Sequence, residues 1–180
     1  MRVIPPNVVL FLTGHVRRLA AAEQIDVDVT NKEPADLELP LRRPLIVLRD
    51  DGGPRLDWTT FDRSIGASVL AGSKRHDAPA IELASWLASV LHDDELPEVE
   101  GSPIASVEFD GCNGPTNAAE VLDVTRMYLT AQYVATGSWP SPAPTDPAAT
   151  AAAVSEDGET AAPDAHPYEA RAAGEGVTRS

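Results

Sequence analysis

The residues able to do chemistry are few and scattered. Four histidines, His15, His76, His92 and His166, stand far apart, with no pair at metal-ligand spacing. They read as surface or helix-end residues. Asp50-Asp51 and Asp93-Asp94-Glu95 are acidic clusters, but a hard cation needs several oxygens from one loop, spaced as in Asp-x-Asp-x-Asp-Gly. Neither cluster has that spacing, so both read as solvated loop charges. Asp26 and Asp28 alternate on the solvent side of a strand pattern. Cys112 is the single cysteine, which excludes an internal disulfide and a Cys-rich zinc site. A Cys–His nucleophile would need His76 or His92 beside it; an incidental buried thiol is the simpler reading. Gly52-Gly53-Pro54 lacks the lysine and the following helix of a phosphate loop, and no serine sits in a Gly-x-Ser-x-Gly elbow. No catalytic, cofactor-binding or metal-binding residues are assigned, and the chain reads as a non-enzyme.

Composition narrows the class further. The chain has 180 residues, enough for one domain with a real core. Its formal net charge of −14 argues against holding nucleic acid by the phosphates, which needs clustered Lys and Arg. The longest apolar run near the start, Val8 to Leu12, is too short to span a bilayer, and no cleavable signal pattern precedes it. The expectation is a soluble, non-secreted protein with no membrane partner; one cysteine fits a reducing cytoplasm.

The elements follow from periodicity. Asn7 is a candidate N-cap, and Val9, Leu12, Val16, Leu19 and Ala20 then share a helical face, with Thr13, Arg17 and Arg18 off it. Ile25, Val27 and Val29 alternate with polar residues as a half-buried strand. Asn31 to Pro44 is a polar, proline-marked connection. Leu45 to Leu48 is apolar on both faces, as in a central strand. A connection from Asp50 to about Phe61, turning at Asp51-Gly52-Gly53-Pro54, leads to a strand with Ile65, Ala67, Val69 and Ala71 on one side. A helix begins at about Asp77, with Leu83, Ala84, Leu87, Ala88, Val90 and Leu91 on its apolar face. Ala105, Val107 and Phe109 alternate as another strand, and Gly111 to Pro115 breaks the chain. Val124 to Thr136 fits a helix face or a strand; its β-branched and aromatic content favours the strand. The expected fold class is α+β, an α/β sandwich: a mostly antiparallel sheet of about four to five strands with two helices on one face. The domain spans 1–137. A Pro/Ala-rich acidic tail, 138–180, has too few large apolar side chains to order itself and is expected to be disordered.

Several of these stretches together resemble one family. The N-terminal helix, Ile25-Asp26-Val27-Asp28-Val29, Pro34, Leu39-Pro40, Val47-Leu48-Arg49, Gly52-Gly53-Pro54-Arg55, Asp62-Arg63, the helix from Ile81 to Leu91, Gly114-Pro115 and the strand around Tyr128 to Gly137 resemble tail terminator proteins of long-tailed (siphovirus-type) bacteriophages, especially those of actinobacteria. The likeness covers about residues 5–137, with Gly-Gly-Pro-Arg its sharpest motif. It implies a virion structural protein at the tail–head junction, assembled in the host cytoplasm. Such a subunit forms a homo-oligomeric, hexameric ring that caps the tube of major tail protein, ends its polymerisation and meets the head–tail connector or stopper. DNA would pass the lumen without specific binding, and lumenal carboxylates would repel phosphates within a Debye length of about 8 Å. Asp50 and Asp51 are candidates for that role. A heterologous ring contact needs two different surfaces per subunit. The hairpin carrying Arg49, Asp50, Asp51, Gly52, Gly53, Pro54, Arg55, Trp58 and Phe61 is the candidate interface or lumen element. Its two rings read equally as interface anchors or as core. The alternatives are another head–tail joining (neck or head-completion) protein and, from a different class, a monomeric acidic binding module.

Overall fold

The computed structural model describes residues 2–140. The expected tail lies, from residue 141 onward, outside the described residues. Pairing extends one residue beyond the expected domain end: Ile4 and Ser138 exchange backbone hydrogen bonds of 2.8 and 3.0 Å.

Asn7 caps the first helix, α1 (Val8–Ala22), its Oδ1 accepting from the Leu10 N–H at 3.0 Å. That bond satisfies one of the amides a helix start leaves without an internal partner. The second helix, α2 (Ala78–Leu91), tolerates Pro79 because a first-turn residue needs no N–H. Six strands complete the order: β1 (Asp28–Thr30), β2 (Leu45–Gly52) and β3 (Thr60–Ala71) before α2, then β4 (Ile104–Val107), β5 (Asn113–Ala118) and β6 (Thr125–Thr136). They form one sheet ordered β1-β2-β3-β6-β4, with β5 also on β6. Every pairing is antiparallel except β1 with β2. The fold is thus α+β, two helices packed on a mixed six-stranded sheet.

Both helices lie on the same face. Val8, Leu12 and Val16 of α1 and Leu83, Leu87 and Leu91 of α2 share one core with Ile46, Leu48, Ile65, Ala67, Val69, Met127, Leu129 and Ala131. The opposite face is covered at one end, where Leu37 and Leu41 of the connection before β2 pack on Leu45, Val47, Leu70 and Val124. Arg126 pins that connection to the sheet. Its guanidinium donates to both Glu33 oxygens, at 2.5 and 3.0 Å, and to Glu120 Oε2 at 2.7 Å.

β6 organises the sheet. Its buried positions are Thr125, Met127, Leu129, Ala131, Tyr133 and Ala135, a strict alternation over its whole length. β3 pairs with all of it on one side; β4 and β5 divide the other. Tyr133 is fully buried, and its hydroxyl donates to the Leu91 carbonyl at 2.7 Å. Burial pushes the phenol's pKa well above its ordinary value. The bond satisfies one of the carbonyls that the end of α2 leaves open.

Four expectations need correction. The strand predicted from Ile25 shrinks to Asp28–Thr30, because Ile25 and Val27 pack on the core from the connection leaving α1. Thr13 is buried, its hydroxyl returning to the Val9 carbonyl at 2.7 Å and so removing the polar cost of burial. The predicted Ala105/Val107/Phe109 face is misplaced. Ile104 is the buried residue, the pairing shifts register between Ile104 and Ser106, and Phe109 stands exposed in a 3-10 turn. The break expected at Gly111 to Pro115 contains the start of β5, so the sheet has six strands rather than four or five. Among the described residues, no helix is long and apolar enough to cross a membrane.

Two predictions follow from this core. Tyr133→Phe leaves the buried Leu91 carbonyl without its donor and should cost about 1–3 kcal/mol in urea unfolding, with an unchanged denaturant slope. The Glu120 carboxyl is held below its ordinary pKa by the Leu122 N–H first, then by Arg126. A depressed folded pKa means the unfolded chain binds the extra proton. The stabilisation is therefore complete above about pH 4.5 and is lost as pH falls through the folded value. Glu120→Gln should flatten that part of the stability–pH profile.

Candidate functional site

The two sides of the β2–β3 hairpin carry different chemistry. On the face away from the helices, Arg49 Nε donates to Asp51 Oδ1 at 2.5 Å, and its Nη2 reaches Asp51 Oδ2 at 3.3 Å. The Tyr128 hydroxyl joins them, 3.4 Å from both Arg49 Nη2 and Asp51 Oδ2. Burial, and next the Asp51 carboxylate, raise the Tyr128 pKa; the hydrogen bond to Asp51 raises that of Arg49. The trio converges over Gly66, which lies opposite Arg49 in the ladder. A Cβ there would sit 2.6 Å from Asp51 Oδ2 and from Tyr128 Oη. The glycine is what lets three polar groups meet flat on the strand.

Asp50 points to the other side of the strand. Its Oδ1 accepts from the Gly52 N–H at 2.8 Å and lies 3.9 Å from Arg63 Nη1. The register shift between Asp50 and Gly52 bends the hairpin beyond this point. Gly53 then passes so close to β3 that a Cβ would collide with the Asp62 carbonyl, and its φ of +157° disfavours other residues. The Asp62 N–H returns to the Pro54 carbonyl at 2.8 Å.

The tip is stitched shut. Arg55 donates from Nε to the Asp57 carbonyl at 2.8 Å and from Nη2 to the Trp58 carbonyl. The Leu56 and Asp57 N–H groups both point at the Thr60 carbonyl. The Arg55 and Arg63 guanidiniums lie 5.6 and 5.7 Å from the Phe61 ring centre, a stacking that favours cations. Of the two rings that the sequence left open between interface anchor and core, Phe61 is buried at 6% exposure, whereas Trp58 is 73% exposed, with Leu56 at 53% beside it. The hairpin therefore separates its two rings, one as a foundation and one in solvent.

The other sequence candidates do not assemble. The His15 ring stacks on Phe11 at 5.8 Å; burial first, and Arg18 next, lower its pKa. His92 Nε2 lies 3.0 Å from the Thr130 carbonyl, and Cys112 packs against the core. Arg43 approaches Asp26 and Asp28 at 3.0 and 3.8 Å. The Asp93 carboxylate accepts from the Glu95 N–H at 2.9 Å. His166 lies outside the described residues. Among the described residues no group of three or more His, Cys, Asp or Glu side chains is placed to hold a metal ion. Sequence reasoning missed Gly66 and Arg63 of β3 and Tyr128 of β6 as parts of this site. A glycine inside a strand pattern was the available signal for the first, since it marks close approach. A scan against protein-family models gives no match to this chain, and a search of curated proteins gives none.

The two glycines should respond differently to alanine. At Gly66 the new methyl meets the ends of side chains, which can rotate away; at Gly53 it meets backbone. Gly53→Ala should therefore cost about 1–3 kcal/mol and Gly66→Ala less, measured by denaturant midpoint on the same instrument.

Proposed function

We propose that this chain is a tail terminator of a long-tailed bacteriophage: a ring subunit that caps the tail tube, stops its growth and offers a surface to the head-side connector. The observation that carries the reading is the hairpin tip. Gly52-Gly53-Pro54-Arg55, the sharpest motif of the resemblance, builds a stitched turn that holds Leu56 and Trp58 out in solvent. A preorganised aromatic costs little entropy to bury, and tryptophan is a frequent interface anchor. The tip supplies one of the two unlike surfaces that a heterologous, closing contact requires. Its geometry does this without a reacting group.

The acidic surface supports the same reading through short-range repulsion of DNA phosphates, within a Debye length of about 8 Å. Asp50 and Asp51 are weak sources of it, because they point to opposite sides of the strand and each lies near a guanidinium. The exposed run Asp93, Asp94, Glu95, Glu98 and Glu100 is the stronger source.

The test is negative-stain microscopy of the purified chain mixed with tubes of the cognate tail protein. Rings at one end of each tube, with growth halted, are expected. Tubes that keep growing with bare ends overturn the proposal in favour of another head–tail joining protein or a monomeric binding module. Trp58→Ala should change folding stability by no more than about 0.5 kcal/mol, as for an exposed side chain, while weakening ring formation. Unimpaired rings with Trp58→Ala would remove the tip from the interface.

A further inference from the structure

A second surface, remote in sequence from the hairpin, is built like a recognition groove. One stripe of α2, Pro79, Glu82, Leu83 and Trp86, faces Ile25 and Asp26 of the connection leaving α1 and Pro44 at the entry to β2. Together they enclose about 330 Å³. The spacing i, i+3, i+4, i+7 places these α2 side chains in one row. The row is about 10 Å long, the span of about three residues of extended chain.

The walls are fixed in advance. The Ile25 N–H bonds to the Ala20 carbonyl at 2.8 Å, and the Pro44 carbonyl accepts from the Asp28 N–H at 2.9 Å. The Trp86 indole N–H donates to Glu23 Oε2 at 2.8 Å, which sets the angle of its ring. The floor is apolar: Ile25, Pro44, Pro79, Leu83 and Trp86. The rim is anionic. Asp26 already has Arg43 at 3.0 Å, but no described cation lies within salt-bridge distance of Glu82.

We infer that this groove binds a short, extended segment of a partner protein that sets an apolar or proline anchor beside a lysine or arginine. The anchor packs between Trp86, Pro44 and Pro79, and the cation meets Glu82 with the Trp86 ring beside it. An aromatic, proline-flanked trough suits an extended chain that has little entropy left to lose. The Glu82 carboxylate selects the cation and disfavours an acidic segment, Asp26 being matched by Arg43. The inference does not depend on the ring reading, because it concerns α2 and the α1–β1 connection rather than the hairpin.

The test is a titration of the full-length chain with three synthetic peptides, read on the indole N–H signals in 1H–15N spectra. The peptides are Pro-Leu-Pro-Arg, Pro-Leu-Pro-Glu and tetralysine, and Trp86→Phe assigns the relevant signal. Pro-Leu-Pro-Arg should move the Trp86 indole saturably while leaving the Trp58 indole in place. Glu82→Gln, a conservative change at an exposed position, should weaken that binding about two- to fivefold. Any of four results overturns the inference: an unmoved Trp86 indole, equal binding of the Glu peptide, equal binding of tetralysine, or no effect of Glu82→Gln. Movement of the Trp86 signal with protein concentration alone would also overturn it, by placing a second copy of the chain in the groove.

Discussion

The packing of helices on sheet turns on one side chain, Tyr133. Its ring is fully buried in the core that both helices share with the sheet, and its hydroxyl ends at the last carbonyl of α2. A phenylalanine would supply the apolar bulk but would strand that carbonyl in a dry environment. Because Tyr133 belongs to β6, the bond fixes the position of α2 relative to the strand on which β3, β4 and β5 all depend. Position along one strand is thereby converted into position between layers.

The hairpin inherits its direction from the same framework. β3 is paired with β6 along its full length, from Thr60 with Thr136 to Ala71 with Thr125. The base of the hairpin is therefore held by a strand that lies in the middle of the sheet. Tyr128 of β6 reaches across to Arg49 and Asp51, and Gly137 at the end of β6 donates to the Thr59 carbonyl at 2.7 Å. Phe61, buried with the Arg55 and Arg63 guanidiniums near its ring, anchors the tip. The exposure of Leu56 and Trp58 is the outcome of these constraints rather than of looseness.

Much of this was legible in the sequence where one periodicity dominated. The Asn7 cap and the α2 face from Leu83 to Leu91 each express a single pattern, while 125–136, whose periodicity suited helix and strand alike, was decided by its β-branched and aromatic content. Reading failed where local pattern and tertiary contact disagreed. Ile25 and Val27 alternate like a strand, yet the ladder with β2 admits only Asp28 to Thr30. Asn113 to Ala118 has turn composition, and only the free edge of β6 makes a strand of it. The hairpin was recognisable as a unit, but the fates of Trp58 and Phe61 were not. What separates them is the ladder: Phe61 lies in β3 opposite Ala135 of β6, whereas Trp58 lies in the loop before it, and that pairing exists only after the chain has folded back on itself.

The brevity of β1 has a consequence for how molecules of this protein can meet. It pairs with β2 only as far as Val47, so among the described residues the outer edge of β2 from Leu48 to Gly52 carries no partner strand. Such an edge is a template on which another chain can crystallise by backbone bonding alone. Here it is occupied by Arg49, Asp50 and Asp51, and the register shift at its end twists it away from planarity. Strand-to-strand pairing with another chain is thus discouraged along this border. Anything that meets this border must do so through side chains, whose contacts are selective and reversible, rather than through a shared ladder of backbone bonds.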